Sequence, residues 1–123
     1  MMQQFVRTIT LAQQQAILTP TILKLTITKN GYQYDQYQQN LSSNQGEWKP
    51  LQDALSRRSA FQNLFSVTVK IQNKKEILFF PSGDVTPFTV ELKNKSQDFF
   101  IGVNSNGAVI ENNAHHDEKT NAK

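Results

Sequence analysis

The sequence has no cysteine among its 123 residues. This absence excludes a disulfide framework, a thiolate metal site and a cysteine nucleophile. No apolar run approaches the ~18 residues with which a helix crosses a bilayer, and no signal peptide is visible. The five glycines are scattered, so there is no glycine-rich phosphate loop. What is present is a polar chain long enough for one domain with one hydrophobic core.

Residues that could carry chemistry are few. His115 and His116 are adjacent in a polar C-terminal segment, where a metal or catalytic site would lack a fixed geometry. No serine lies in a Gly-x-Ser-x-Gly turn, and Asp84 lies in a predicted turn, where aspartate commonly accepts backbone N–H bonds. We therefore predict that the protein is not an enzyme and has no catalytic, cofactor-binding or metal-binding residues.

The charge is modest and dispersed. Thirteen Lys and Arg against ten Asp and Glu give a formal net charge of +3. The basic residues occur as pairs, Arg57-Arg58 and Lys74-Lys75, and not as a run. Such a pattern is weak evidence for nucleic acid or acidic lipid. We predict DNA binding no tighter than non-specific, on the order of 10⁻⁴ to 10⁻⁶ M.

The first segment of the chain predicts an α-helix over residues 2–18. It contains no proline or glycine, and Thr19-Pro20 ends it, because the residue before proline avoids the helical region. Its apolar stripe at helical spacing comprises Phe5, Ile9, Ala12 and Ala16. We expect the second half to pack on its own domain and the front, at Phe5, Val6 and Ile9, to lie ahead of it. The start at Met1-Met2 lacks a cap residue, which predicts a chain that begins inside a longer helix.

After Pro20 the apolar period changes to two, which is typical of half-buried strands. Alternating segments near Leu23, Leu64 and Phe88 and the continuous apolar run 77–80 contribute to about seven predicted antiparallel strands. The predicted fold class is α+β, with the strands in two packed sheets or one highly curved sheet; we favour two packed sheets. The predicted domain covers residues 1–111, with the β head at 20–111 and a flexible tail at 112–123.

Two Asn-Gly dipeptides, Asn30-Gly31 and Asn106-Gly107, predict tight hairpin turns. A two-residue turn at the first would place Ile27 opposite Tyr34. Residues 39–60 show no clear period and predict a loop, with Trp48 and Leu51 packed onto the core.

Adjacent aromatic residues in two predicted strands point to opposite faces of each strand. These pairs are Phe79-Phe80 and Phe99-Phe100. Either the second sheet and the helix cover both faces, or a partner does.

Three stretches resemble the H-type minor pseudopilins of bacterial type II secretion, a family shared with FimT- and FimU-like minor type IV pilins. They are residues 11–17, residues 31–34 with 46–51, and residues 77–88. The last stretch is the most specific, because the family shows a hydrophobic run followed by a signature loop. The loop residues in this chain are Pro81, Ser82, Gly83, Asp84, Thr86, Pro87 and Phe88.

The resemblance implies a long N-terminal helix followed by a β head. It also implies a structural subunit near the tip of a pseudopilus that helps to export folded proteins across the outer membrane. The implied partners are the other minor and major pseudopilins. The implied location is the inner membrane of a Gram-negative bacterium before assembly, anchored by an apolar half-helix, with the head in the periplasm. The leader, cleavage site and apolar half-helix of the family pattern do not occur in this sequence.

The predicted assembly interface on the helix comprises Phe5, Val6, Ile9 and Ala12. The head by itself is predicted to be a monomer, or a weak dimer through this stripe. The alternative is a FimT- or FimU-like minor type IV pilin involved in pilus assembly or DNA uptake. The dispersed charge disfavours DNA as a partner.

Overall fold

The computed structural model describes residues 2–40, 45–51, 55–57, 59–61, 64–72 and 75–115. Within these residues the chain forms one α-helix followed by eight β-strands. The helix is α1 (Met2–Leu18), and the strands are β1 (Leu23–Ile27), β2 (Tyr32–Asn40), β3 (Gln45–Pro50), β4 (Ser66–Ile71), β5 (Ile77–Phe79), β6 (Phe88–Lys93), β7 (Gln97–Val103) and β8 (Val109–His115).

The strands form two four-stranded sheets. Sheet A has the order β3-β2-β1-β5 and sheet B has the order β4-β6-β7-β8. All pairings are antiparallel, as expected for strands joined by short turns. The predicted α+β fold, with one helix before an antiparallel head of two sheets, is confirmed.

One core joins the helix to both sheets. Side chains alternate between core and surface along the strands, for example buried Phe88, Val90 and Leu92 on β6. The inward side chains of both sheets form a single cluster with the apolar stripe of α1. Burying one large aliphatic or aromatic side chain contributes roughly 1.5–3 kcal/mol, so this cluster holds the helix and the sheets together.

The front of the helix is part of this core, contrary to our prediction. Phe5 and Ile9 are 0% exposed. The Phe5 ring packs against Tyr32 and Phe61, with ring centroids 4.7 and 6.0 Å away. The prediction was wrong because the β1–β2 end of sheet A reaches the first turns of the helix. Phe61, which directly follows the segment 39–60 that shows no clear period, also covers the helix.

The first hairpin turns one residue earlier than predicted. Thr28 N–H donates to Gly31 O over 2.8 Å, and Thr28 Oγ1 accepts the N–H of Asn30 and Gly31. The turn is therefore centred on Lys29-Asn30, and Ile27 lies opposite Tyr32 instead of Tyr34. A shift of two residues preserves which side chains face the core. In contrast, Gly107 has the predicted positive φ, at 86°.

Three strands also differ from the prediction. β3 lies within the predicted loop 39–60, and its Trp48 pairs with Tyr37 on the outer face of sheet A instead of entering the core. β5 is an edge strand that ends at Phe79. β8 continues through residues 112–115, in the predicted tail, because their backbone pairs with β7. Residues 116–123 and the predicted loop residues 42–44 lie outside the described residues.

Candidate assembly surfaces

The inward stripe of α1 is fixed to the head by a polar contact as well as by packing. Thr8 Oγ1 lies 2.6 Å from the Phe5 carbonyl oxygen and 2.9 Å from Tyr34 Oη. Because the single Thr8 proton goes to the carbonyl, Tyr34 donates to Thr8. Burial raises the pKa of the Tyr34 hydroxyl above its usual value. This contact keeps a polar pair satisfied in the core.

The predicted assembly residues therefore do not form a free surface. Phe5, Ile9 and Ala12 are fully buried, and Val6 is half-buried against the core. Phe5, Ile9 and Ala12 therefore have no exposed surface with which to contact another subunit, and Val6 has only a part of its surface exposed. The sequence predicted the apolar stripe correctly. It did not show whether the stripe is covered by the protein's own β head or by another subunit.

The opposite face of α1 is exposed to solvent, and our sequence analysis did not identify it as a candidate surface. Leu11 is 42% exposed and Leu18 is 79% exposed. They are seven positions apart, which places them on the same face of the helix. The polar neighbours on this exposed face are Gln4, Arg7 and Gln14. The seven-residue spacing of the two leucines was the signal in the sequence.

The signature loop, residues 81–88, is a junction between the two sheets. It leaves β5 at the edge of sheet A and enters β6 in sheet B. Gly83 has φ 95°, a conformation that other residues rarely adopt. Buried Thr86 accepts the Leu78 N–H at its Oγ1. The Val85 N–H donates to Ser105 O over 2.9 Å, which ties the loop to the turn between β7 and β8.

The exposed part of the signature loop is held by local hydrogen bonds. Ser82 Oγ donates to the Asp84 carboxylate over 3.0 Å and accepts the Asp84 N–H over 3.3 Å. Pro81 is exposed, Pro87 is half-buried and Phe88 is buried in the core. The loop residues are thus brought together, and their contacts are those of a structural turn.

One helix side chain connects the loop to sheet B. Gln13 Nε2 donates to Gly83 O and to Asn106 O, each over 2.8 Å. Ile17 lies beside Gly83, since a Cβ added at Gly83 would be 3.4 Å from Ile17 Cδ1. α1, the signature loop and the β7–β8 turn therefore meet at Gln13.

A second exposed cluster lies on the outer face of sheet A. The Tyr37 and Trp48 rings meet edge to face with centroids 5.2 Å apart. Lys24 Nζ lies 4.5 Å from the Trp48 ring centroid and 3.2 Å from Glu76 Oε2. Gly46 lies directly under the Tyr37 phenol, where a Cβ would overlap it. These groups satisfy one another, so the cluster stabilises the β2–β3 edge.

The described residues contain neither a cluster of metal ligands nor a helix that could span a membrane. No group of three or more His, Cys, Asp or Glu there could hold a metal ion. No helix in that part of the chain has both the length and the apolar character of a membrane span.

A single helix running into two antiparallel sheets is a pilin-like fold. A family model described as type II transport protein GspH matches residues 2–107. Since this match covers most of the chain, the protein belongs to the GspH family, the H-type minor pseudopilins of type II secretion.

Solved structures agree with this assignment at the level of the fold. One structure of the minor pseudopilin EpsH from the type 2 secretion system of Vibrio cholerae has a TM-score of 0.69 at 16% identity, over 89% of this chain and 90% of that one. A second EpsH structure gives 0.66 at 14% identity, over 94% and 92%. A search of the curated proteins found no matching sequence.

Proposed function

We propose that this pseudopilin is a structural subunit near the tip of the pseudopilus and that it helps to export folded proteins across the outer membrane. Its partners are other pseudopilins of the same system. Before assembly it resides in the inner membrane of a Gram-negative bacterium, with its head in the periplasm. It performs no reaction and does not bind nucleic acid specifically.

The observation that carries the proposal is the division of α1 into two faces. One face is locked into the head by Phe5, Ile9 and the Thr8–Tyr34 contact. The other face leaves Leu11 and Leu18 in water. Apolar side chains at seven-residue spacing are typical of helices that pack against other helices. The assembly surface that we propose is therefore the face with Leu11 and Leu18, in place of the buried stripe.

The test is the double variant Leu11→Gln with Leu18→Gln in the full-length protein, expressed with the other pseudopilins. Fully burying a leucine contributes roughly 1.5–3 kcal/mol. Replacing Leu11 and Leu18, which are already partly covered within their own chain, should remove part of this contribution at the interface with a neighbouring subunit and weaken association about tenfold or more. We expect reduced co-purification with the other minor pseudopilins and reduced secretion of folded substrates. The melting temperature should change little.

The matched control is Leu64→Gln, because Leu64 is 57% exposed outside the helix. It should leave co-purification and secretion at the wild-type level. Undiminished co-purification of the helix variant, or an equal loss in the control, would contradict an assembly role for this face.

A further inference from the structure

The outer face of sheet B carries a groove that crosses its strands. Lys70 of β4 pairs with Thr89 of β6, Thr89 with Gly102 of β7, and Gly102 with Ile110 of β8. These four residues therefore form one row on the face that points away from the core. At about 4.8 Å between strands, the row is about 14 Å long.

The groove exists because the row has a glycine at its centre. Its volume is about 540 Å³. A Cβ on Gly102 would lie 3.3 Å from the Phe100 ring and 4.0 Å from Thr89 Cγ2. A larger side chain at this position would occupy the groove, so the missing side chain leaves the space between Phe100 and Ile110 open.

The two ends of the groove differ in chemistry. Ile110 is 63% exposed at one end, which leaves a large apolar side chain in water beside the half-buried Phe100. Lys70 stands at the other end and has no ion-pair partner among the described residues. Glu91 of the neighbouring row instead lies 3.4 Å from Lys93. The groove therefore offers an apolar site and, two strands away, one unpaired positive charge.

We propose that this groove binds an extended acidic segment of a partner polypeptide. An apolar side chain of that segment fills the space over Gly102, between Phe100 and Ile110, and a carboxylate pairs with Lys70. The distance across two strands is about 10 Å. This is about one three-residue turn of an extended polyproline II segment, in which the side chains at positions i and i+3 lie on the same side. The matching segment has an apolar residue followed three positions later by Asp or Glu. This contact is separate from helix assembly and adds a second docking surface on the head.

The test uses two synthetic peptides, one with Leu-Ser-Ser-Glu between glycines and one with Leu-Ser-Ser-Lys in the same frame. Each is titrated into the ¹⁵N-labelled protein and followed by amide chemical shifts. The acidic peptide should shift Gly102, Ile110 and their neighbours, with a Kd of about 1 mM. The lysine peptide should bind more weakly.

Charge reversal separates this pairing from general attraction. Lys70→Glu should weaken the acidic peptide about two- to fivefold, the effect of one exposed ion pair, and should strengthen the lysine peptide. Lys95→Glu, the same change in the β6–β7 turn, should leave both affinities unchanged. Ile110→Ser should weaken both peptides. All three positions are exposed, so the variants should melt near wild type.

Three outcomes would overturn the proposal. The first is equal affinity for the two peptides, and the second is perturbation confined to another surface. The third is a set of shifts at Gly102 and Ile110 that follows protein concentration and not peptide, because the occupant would then be a second copy of the chain.

Discussion

Tyr34 and Thr8 show how a single polar pair can specify the position of the helix on sheet A. Tyr34 is fully buried, and its hydroxyl lies 2.9 Å from Thr8 Oγ1. A buried hydroxyl without a partner costs free energy, so the helix is most stable where Thr8 faces Tyr34. Packing of the apolar stripe alone would allow α1 to shift along sheet A more readily than the Thr8–Tyr34 hydrogen bond does.

At the residue scale we predict an alkaline loss of stability that depends on Tyr34. Burial raises the pKa of Tyr34 above the value near 10 that it has in the unfolded chain. The stability contributed by the neutral hydroxyl is complete below about pH 10 and is lost as the pH rises towards the folded-state pKa. The free energy of unfolding should therefore fall as the pH rises. Tyr34→Phe should reduce the slope of this fall by about 1.4 kcal/mol per pH unit between about pH 10 and 12.

Urea unfolding across this pH range measures the slope. Tyr37→Phe is the control, since it removes a tyrosine that is 39% exposed and should retain the wild-type slope. Tyr32 has a pKa that burial also raises, so part of the slope should persist in Tyr34→Phe. Identical slopes in wild type and Tyr34→Phe would show that Tyr34 ionises equally in both states.

At the scale of the element, the helix has a buried face and an exposed face, and the exposed face is the one that we propose for assembly. Phe5 packs between Tyr32 and Phe61 and is 0% exposed, whereas Leu11 is 42% exposed. The two faces should therefore respond to truncation in opposite ways. The buried face should control stability, and the exposed face, if the proposal holds, should control association.

Phe5→Ala should lower the free energy of unfolding by about 3–5 kcal/mol, because it removes a buried aromatic ring and leaves a cavity. Leu11→Ala should change it by no more than about 0.5 kcal/mol. Chemical denaturation of both variants measures the difference. If Phe5→Ala lowered the free energy of unfolding only slightly, the Phe5 ring would not be part of the core. The stripe with Phe5 would then again be a candidate for the assembly surface.

At the scale of the whole molecule, Gln13 joins three parts of the head. Its amide nitrogen donates to the signature loop at Gly83 and to the β7–β8 turn at Asn106. These contacts are separated by 70 and 93 residues from Gln13 in the sequence. A single side chain thus helps to fix α1 relative to the junction of both sheets.

Gln13→Ala should lower the free energy of unfolding by roughly 1–2 kcal/mol, the contribution of two hydrogen bonds. Gln14→Ala is the matched control, because it is the same substitution at the next, exposed position of the helix. It should be neutral to within about 0.5 kcal/mol. Thermal unfolding of the two variants is the measurement, and equal stability would show that the Gln13 contacts contribute nothing net.

Much of the fold was predictable because local periodicity reports burial directly. The stripe of Phe5, Ile9 and Ala12 and the alternation along β6 identified the helix and the inward side chains. β3 was missed because its outward residues pack on the surface around Trp48 and show no apolar alternation. The first hairpin was misplaced because Thr28 supplies side-chain hydrogen bonds that favour an earlier turn.

By itself the sequence determined that a helix precedes the β head, which side chains of the helix and of strands such as β6 face inward, and the resemblance to H-type pseudopilins. These follow from local spacing and from short motifs, which do not depend on distant residues. The tertiary structure decided which face of the helix is free, because Phe61 and Tyr32 cover Phe5 from far along the chain. It also decided where the groove lies, because four strands bring Lys70 and Ile110 into one row. Long-range packing sets the accessible surface, and the accessible surface sets which residues can assemble.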